Sequence, residues 1–229
     1  MSNINVAYNI DCLEAMKKMP DNAFDLACVD PPYGGSDYKG AIVGRFGGRF
    51  EKYVGEITVD RTGRTWAKKY GNKVKNLDVA PGPEYFEELF RVSKNQIIWG
   101  GNYFELPPTR CFLVWRKLTI SENFTMAMAE YAWTSFNDNA KVFECAPQDP
   151  TGTRFRPTQK PVKLYAWVYK HYAKPGMKIL DTHLGSGSSR IAAYDAGLDF
   201  VGYEIDKEYF DKQEKRFEEH TSQLSLFNA

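Results

Sequence analysis

Seven short runs of mostly apolar residues constrain this chain more than any other feature of its sequence: Asn5–Tyr8, Phe24–Val29, Gln96–Trp99, Cys111–Trp115, Glu130–Thr134, Lys178–Asp181 and Phe200–Tyr203. Each is too short for a helix. Their near-continuous apolar character suits strands covered on both faces, the condition of a largely parallel sheet. Helical patterns fall between them. Asp11 is placed to cap a helix carrying Leu13 and Met16, and Pro83 to open one carrying Phe86, Leu89 and Phe90. Pro161 opens a third, with Val162, Tyr165, Val168, Tyr169 and Tyr172 at helical spacing. A fourth spans about Ser188 to Ala196, stopping at Gly197, and a charged fifth runs from Lys207 to about Glu219. Strands alternating with helices predict an α/β fold with crossover helices. Residues 136–159 read as a polar, proline-containing loop.

With 229 residues, 43% of them hydrophobic, the chain can bury a large core as one domain, residues 1–219, followed by a flexible tail, 220–229. No apolar run approaches the roughly 18 residues of a membrane helix, and the opening residues lack the pattern of an export leader. Four cysteines (Cys12, Cys28, Cys111, Cys145) show no paired spacing, which argues against a zinc cluster or a disulfide framework. A cytoplasmic protein without a metal is the expectation. Net charge is +1, yet it is unevenly spread. Residues 34–76 hold ten Lys and Arg, among them Lys39, Arg45, Arg49, Arg61, Arg64, Lys68 and Lys69, against four acids. Nine glycines and several aromatics are interleaved. This is the make-up of an insert that contacts a polyanion, or of a solvated loop whose charges keep it soluble.

The second run ends in Asp30-Pro31-Pro32-Tyr33. Ligands of open α/β sheets sit beyond the carboxyl ends of strands, so these residues stand where chemistry is done. Two prolines stiffen the backbone and remove two N–H donors, leaving carbonyls to accept. A carboxylate, an aimed carbonyl and an aromatic ring suit a planar ligand bearing an exocyclic amine. A rigid turn with a solvent-facing acid is the plainer alternative. A second motif, Asp181-Thr182-His183-Leu184-Gly185-Ser186-Gly187-Ser188, joins a strand to a helix through a glycine turn. Glycines admit close approach of a ligand, and a helix start offers unpaired N–H groups. Glu204, at the end of the next strand and about 20 residues beyond Gly185, is spaced to reach ribose hydroxyls. Arg190 stands where a dinucleotide fingerprint would want glycine, which disfavours nicotinamide and flavin cofactors.

The two motifs together resemble the amino-methyltransferases that use S-adenosylmethionine. Their order, catalytic motif before cofactor turn, resembles the β group of DNA methyltransferases, including small restriction-modification and phage-type adenine enzymes. The resemblance covers most of the chain. It implies a Rossmann-like methyltransferase sheet of seven strands in permuted motif order, one antiparallel. It also implies catalysis by Asp30, Pro31, Pro32 and Tyr33. Asp11 and Cys12 would hold the cofactor adenine, Lys160 its methionine or ribose part, and Glu204 its ribose. Asp30, Asp181, His183, Gly185, Ser186, Gly187 and Ser188 would complete that site. The chain departs from the family pattern at Thr182 and His183, often Pro and Phe, and at Arg156-Pro157, commonly His-Pro. His183 reads as a packing residue beneath the cofactor rather than a general base.

The resemblance further implies transfer of methyl to adenine N6 in duplex DNA. An initial Asp goes mostly with adenine and an initial Ser with cytosine N4. Carbon-5 methylation needs a cysteine to attack the ring, usually inside a Pro-Cys pair, and no such pair occurs. Cytosine N4, an RNA base amine and a non-catalytic DNA-binding module of the same fold are the alternatives; a protein-glutamine methyltransferase would start its motif with Asn. The basic insert would contact DNA, with Arg154 and Arg156 as a second contact. Trp99-Gly100-Gly101-Asn102-Tyr103-Phe104 either lines the same cleft or is a packed turn. At the terminus, Gln223-Leu224-Ser225-Leu226-Phe227 resembles the pentapeptide that docks bacterial proteins on the replication sliding clamp. Its apolar anchors could equally fold back on the protein. A monomer or homodimer is expected.

Overall fold

The computed structural model describes residues 4–33, 79–121, 127–148, 154–156 and 158–227, the side chains of 223–227 excepted. The chain divides into two compact units, Pro32–Gly82 and the remainder. The basic window 34–76 lies outside the described residues, as does Pro157. The larger unit is an α/β sheet. Its strands are β1 (Asn5–Tyr8), β2 (Leu26–Val29), β3 (Gln96–Trp99), β4 (Phe112–Lys117), β5 (Ala129–Thr134), β6 (Lys141–Cys145), β7 (Lys178–Asp181) and β8 (Asp199–Tyr203). Its helices are α1 (Cys12–Met16), α2 (Pro83–Val92), α3 (Val162–Tyr172), α4 (Ser188–Asp195) and α5 (Lys207–Phe227). None of the described helices is long and apolar enough to cross a membrane.

The sheet order is β1-β8-β7-β2-β3-β5-β4-β6. All neighbours are parallel except β5, which runs against both β3 and β4. Among the described residues β5 is the one antiparallel strand, the arrangement the resemblance implies. Both faces are covered, as the apolar runs require. In β2, Leu26 and Cys28 join Trp99, Leu164, Val168 and Phe200 on one face; Ala27 and Val29 join Met16, Leu89, Ile98 and Leu180 on the other. Side chains alternate faces along a strand, so a run apolar throughout feeds two cores at once.

Two expectations are corrected. Among the described residues the sheet has eight strands, because β6 lies within the stretch read as a loop. Its half-buried positions are Lys141, Phe143 and Cys145, while Val142 and Glu144 are exposed. Hydrophobicity therefore does not alternate in step with burial, and the period-2 signal is lost. The last helix passes its expected end near Glu219 and continues through Phe227, so residues 220–227 are helical. No glycine or proline interrupts that stretch. His220 also docks on α4, its Nε2 lying 2.7 Å from Asp195 Oδ1.

Candidate active site

Strand order places the two motifs together. β2 and β7 are parallel neighbours, with Leu26 beside Ile179 and Ala27 beside Leu180. From β2 the chain reaches β3 on one side, and from β7 it reaches β8 on the other. This reversal is a topological switch point, where a crevice opens beyond the carboxyl ends. Asp30 leaves β2 there, and the turn from Asp181 to Gly187 leaves β7. Asp30, Lys160, Tyr165, His183, Gly185 and Ser186 line one open cleft.

The turn needs its glycines. Gly185 and Gly187 have φ of +56° and +73°, the left-handed region that side chains disfavour. A Cβ on Gly185 would collide with the guanidinium of Arg156, and one on Gly187 would press on Gln213 of α5 at 3.2 Å. Glu204 braces the turn: Gly185 N donates to its Oε2 at 2.8 Å and Asp206 N to its Oε1 at 3.0 Å. Beneath, Arg216 of α5 donates to Ser186 O at 2.8 Å and Ser188 Oγ at 2.9 Å, locking the start of α4. Arg190 ties α4 to β1 through Asn5 Oδ1 (2.8 Å) and to α5 through Glu214 (2.7 Å). The residue that breaks the dinucleotide pattern is thus a structural clamp.

Asp181 is buried, accepting from His183 N at 3.0 Å and from Ser189 Oγ. Burial, with Asp30 and Glu204 nearby, pushes its carboxyl up to about 7. His183 is held down to about 3 by burial and by neighbouring Arg156, so its imidazole is neutral at physiological pH. Its Nδ1 lies 3.0 Å from Thr182 Oγ1, which lies 2.6 Å from Tyr85 Oη. That is a packed polar chain rather than a poised base.

Asp30 is held differently. Lys160 Nζ lies 2.5 Å from Asp30 Oδ2 and 3.0 Å from Glu130 Oε2. Glu130 Oε1 in turn lies 2.6 Å from Lys117 Nζ. Both lysines are buried. Burial works against the Lys160 ammonium, but Asp30 and Glu130 outweigh it and raise its pKa. Burial likewise opposes the Glu130 carboxylate, and the two lysines lower its pKa regardless. Lys160, expected on the cofactor, is engaged by these two acids.

Asp11 caps α1, its Oδ1 accepting from Leu13 N (2.8 Å) and Glu14 N (3.2 Å). Cys12 opens that helix, its thiol pushed up to about 12 by burial and Asp11. Asn9 joins this corner to Glu204, donating to the carbonyls of Glu204 and Ile205 at 2.8 and 3.1 Å. Arg156, expected on DNA, lies over the glycine turn, with Nη1 3.6 Å from Glu204 Oε2 and its guanidinium 5.1 Å from the Tyr209 ring. Arg154 Nε donates to Arg156 O at 3.3 Å. The Gly100-Gly101 stretch is a packed turn: Gly100 has φ of +68°, and a Cβ on Gly101 would overlap Trp133. Pro32 and Tyr33 fall in the other unit. Gln223, Leu224, Leu226 and Phe227 lie on α5, outside the described side chains.

Sequence reasoning missed Glu130 and Lys117. Trp115 pairs with Glu130 across β4 and β5, so Lys117 is its diagonal same-face neighbour. Opposite charges at such positions on apolar strands were the available signal.

An open α/β sheet with an acid corner and a glycine turn at one switch point, in permuted order, is the architecture of the Rossmann-like methyltransferases. Residues 98–215, just over half of the chain, match the N6_N4_Mtase family model, described as DNA methylase, and the chain belongs to that family. It is 27% identical over 225 residues to the putative methylase YubD of Escherichia coli strain K12, covering 90% of this chain and 87% of that protein. Among solved structures it is similar to the M1.HpyAVI–SAM complex, with a TM-score of 0.55, 18% identity and coverage of 92% of this chain and 97% of that one. It is also similar to the cytosine-N4-specific PvuII DNA methyltransferase, with a TM-score of 0.58, 13% identity and coverage of 97% and 91%.

Proposed function

We propose that this DNA methylase transfers a methyl group from S-adenosylmethionine to adenine N6 in duplex DNA. The observation that carries the reading is the shared cleft of Asp30 and the Gly185 turn, one oxygen of Asp30 being held by Lys160. The residues present fit the cofactor. Gly185 lines the cleft beside the Arg156 guanidinium, and Glu204 stands braced behind it as a carboxylate suited to a ribose diol. Asp11, Cys12, Asp181, His183 and residues 185–188 would surround the rest. When bound, the cofactor supplies an electrophilic methyl carbon, to which an N–C bond forms as a S–C bond breaks.

The chain's own residues do the remainder. Flipping a base costs a few kcal/mol, which stacking and hydrogen bonding in the cleft offset. Tyr33, two residues along the chain from Pro31, provides the stacking ring in this reading, and Pro32 stiffens the link. The Asp30 carboxylate and the Pro31 carbonyl accept hydrogen bonds from the two amine hydrogens, drawing the nitrogen lone pair out of ring conjugation toward the methyl carbon. The proton that the methylated nitrogen sheds passes to solvent by way of the Asp30 carboxylate. No nucleophile on the protein is needed. Positioning in a water-poor cleft supplies most of the acceleration. Lys39, Arg45, Arg49, Arg61, Arg64, Lys68 and Lys69 contribute phosphate contacts. Adenine is favoured over cytosine N4 by the initial Asp30. Residues 223–227 are proposed to dock on a sliding clamp.

Asp30→Ala tests the reading. Methyl transfer to duplex DNA should fall by about 10²- to 10⁴-fold, the range for a group that handles the reacting proton. Calorimetric binding of S-adenosylmethionine should survive. Normal turnover by the variant would remove Asp30 from the mechanism.

A further inference from the structure

We propose that Glu130 is a positioning residue for Asp30, acting through Lys160 in a row Asp30–Lys160–Glu130–Lys117 whose two lysines are buried and whose two acids are partly exposed. The proposal rests on the role of Asp30 given above. Four separate segments supply the row: the end of β2, the loop before α3, β5 and β4. Charges alternate along it, and the contacts are 2.5, 3.0 and 2.6 Å. The Lys160 side chain is 4% exposed and that of Lys117 5%.

Burying a single ion costs several kcal/mol, and a close pair repays it only with good geometry and further hydrogen bonds. One carboxylate would neutralise Lys160, yet it touches two. With Asp30 alone, the ammonium would give its whole field to the acid that has to receive the substrate amine. Glu130 divides that field and draws the ammonium from the other side. Lys117 balances Glu130 in turn. The Trp99 ring lies 5.5 Å from Lys160 Nζ and bounds a further side, in the range of a cation–π contact. Lys160 is thereby fixed, and with it the rotation of the Asp30 carboxylate. Displacements of about 1 Å at a reacting group cost on the order of 100-fold in rate, so this fixing matters.

Among the described residues, other titratable groups whose fields reach the row are Asp181 of β7, Tyr165 of α3, Tyr85 of α2 and Cys28 of β2, all buried. None lies between Lys160 and Glu130, so substitutions within the row give signed effects. Glu130→Gln removes a negative charge. Lys160 then releases its proton more readily, so the limb of the pH–kcat profile that follows its ammonium moves to lower pH. Lys117→Met removes a positive charge two places along, and the same limb should move to higher pH. A purely structural role would lower the amplitude and leave that limb in place.

The experiment uses the full chain, duplex DNA and S-adenosylmethionine. Glu130→Gln should lower kcat by about 10- to 100-fold, with KM for DNA and cofactor within threefold of wild type. Lys160→Met should also lower kcat, and adding Glu130→Gln to it should cause little further loss, because the two act as a unit. Shifts of that limb in opposite directions for Glu130→Gln and Lys117→Met support the proposal. An unmoved limb, or losses that multiply in the double variant, overturn it. Where Glu130→Gln fails to fold, Lys117→Met alone decides by the sign of its shift. An inactive wild type, or an active Asp30→Ala, would instead overturn the proposed function.

Discussion

Replacing Asp181 by Asn should change how stability depends on pH, in a direction and amount the structure dictates. The carboxyl is 2% exposed, and its pKa is raised from 3.8 to about 7. A carboxyl raised on folding binds its proton more tightly in the native state. Its contribution to stability is therefore present at low pH and lost as pH rises from the unfolded value toward the folded one. The full loss is on the order of 4 kcal/mol at 1.36 kcal/mol per unit, of which about 2.5 kcal/mol falls between pH 5 and pH 8. Asn keeps an oxygen to accept from His183 N and offers an NH₂ toward Ser189 Oγ, so it preserves shape without a titrating proton. Urea unfolding of both proteins at half-unit steps of pH gives the comparison. Wild type should lose about 2.5 kcal/mol relative to Asp181→Asn over that window. Curves that stay parallel from pH 5 to pH 8 would refute the placement of a strained carboxylate under the glycine turn.

Three further outcomes are expected. Gly185→Ala must adopt a positive φ and displace the guanidinium end of Arg156, so it should cost about 1 kcal/mol, or about 2–4 °C in Tm. Calorimetry should nonetheless show at least tenfold weaker S-adenosylmethionine binding, and an unchanged Kd would remove the turn from the cofactor site. Lys68→Ala with Lys69→Ala should weaken DNA binding and reduce the slope of log K against log salt by about 2 if both meet phosphates; an unaltered slope would leave them as solubilising charges. Deleting Gln223–Phe227 should abolish binding to a purified sliding clamp while sparing methylation of short duplexes, and retained clamp binding would refute docking by the tail.

Much of the fold was legible in the sequence because a sheet covered on both faces writes itself as apolar runs. Gln96–Trp99 and Lys178–Asp181 have the same limits in sequence and structure. The Asp11 cap and the Pro161 start were legible because capping is local chemistry. β6 was hidden because an edge strand with Lys141 inward and Val142 outward carries no alternation. In the site, Asp30 and the glycine turn were legible as motifs, each contiguous in sequence. What was illegible was pairing at long range. Lys160 meets Asp30 and Glu130 only once the strand order is known, and Arg156 reaches Gly185 through a loop whose path local patterns do not encode.

The central claim is that the acid corner and the glycine turn serve one transfer to a base amine. Incubating the protein with duplex DNA and S-adenosylmethionine carrying a deuterated methyl group, then digesting to nucleosides for mass spectrometry, tests it most directly. Label in N6-methyldeoxyadenosine is the expected result. Label in N4-methyldeoxycytidine would keep the site and change the base. Digests with no labelled nucleoside, from protein shown to bind both cofactor and DNA, would contradict the account.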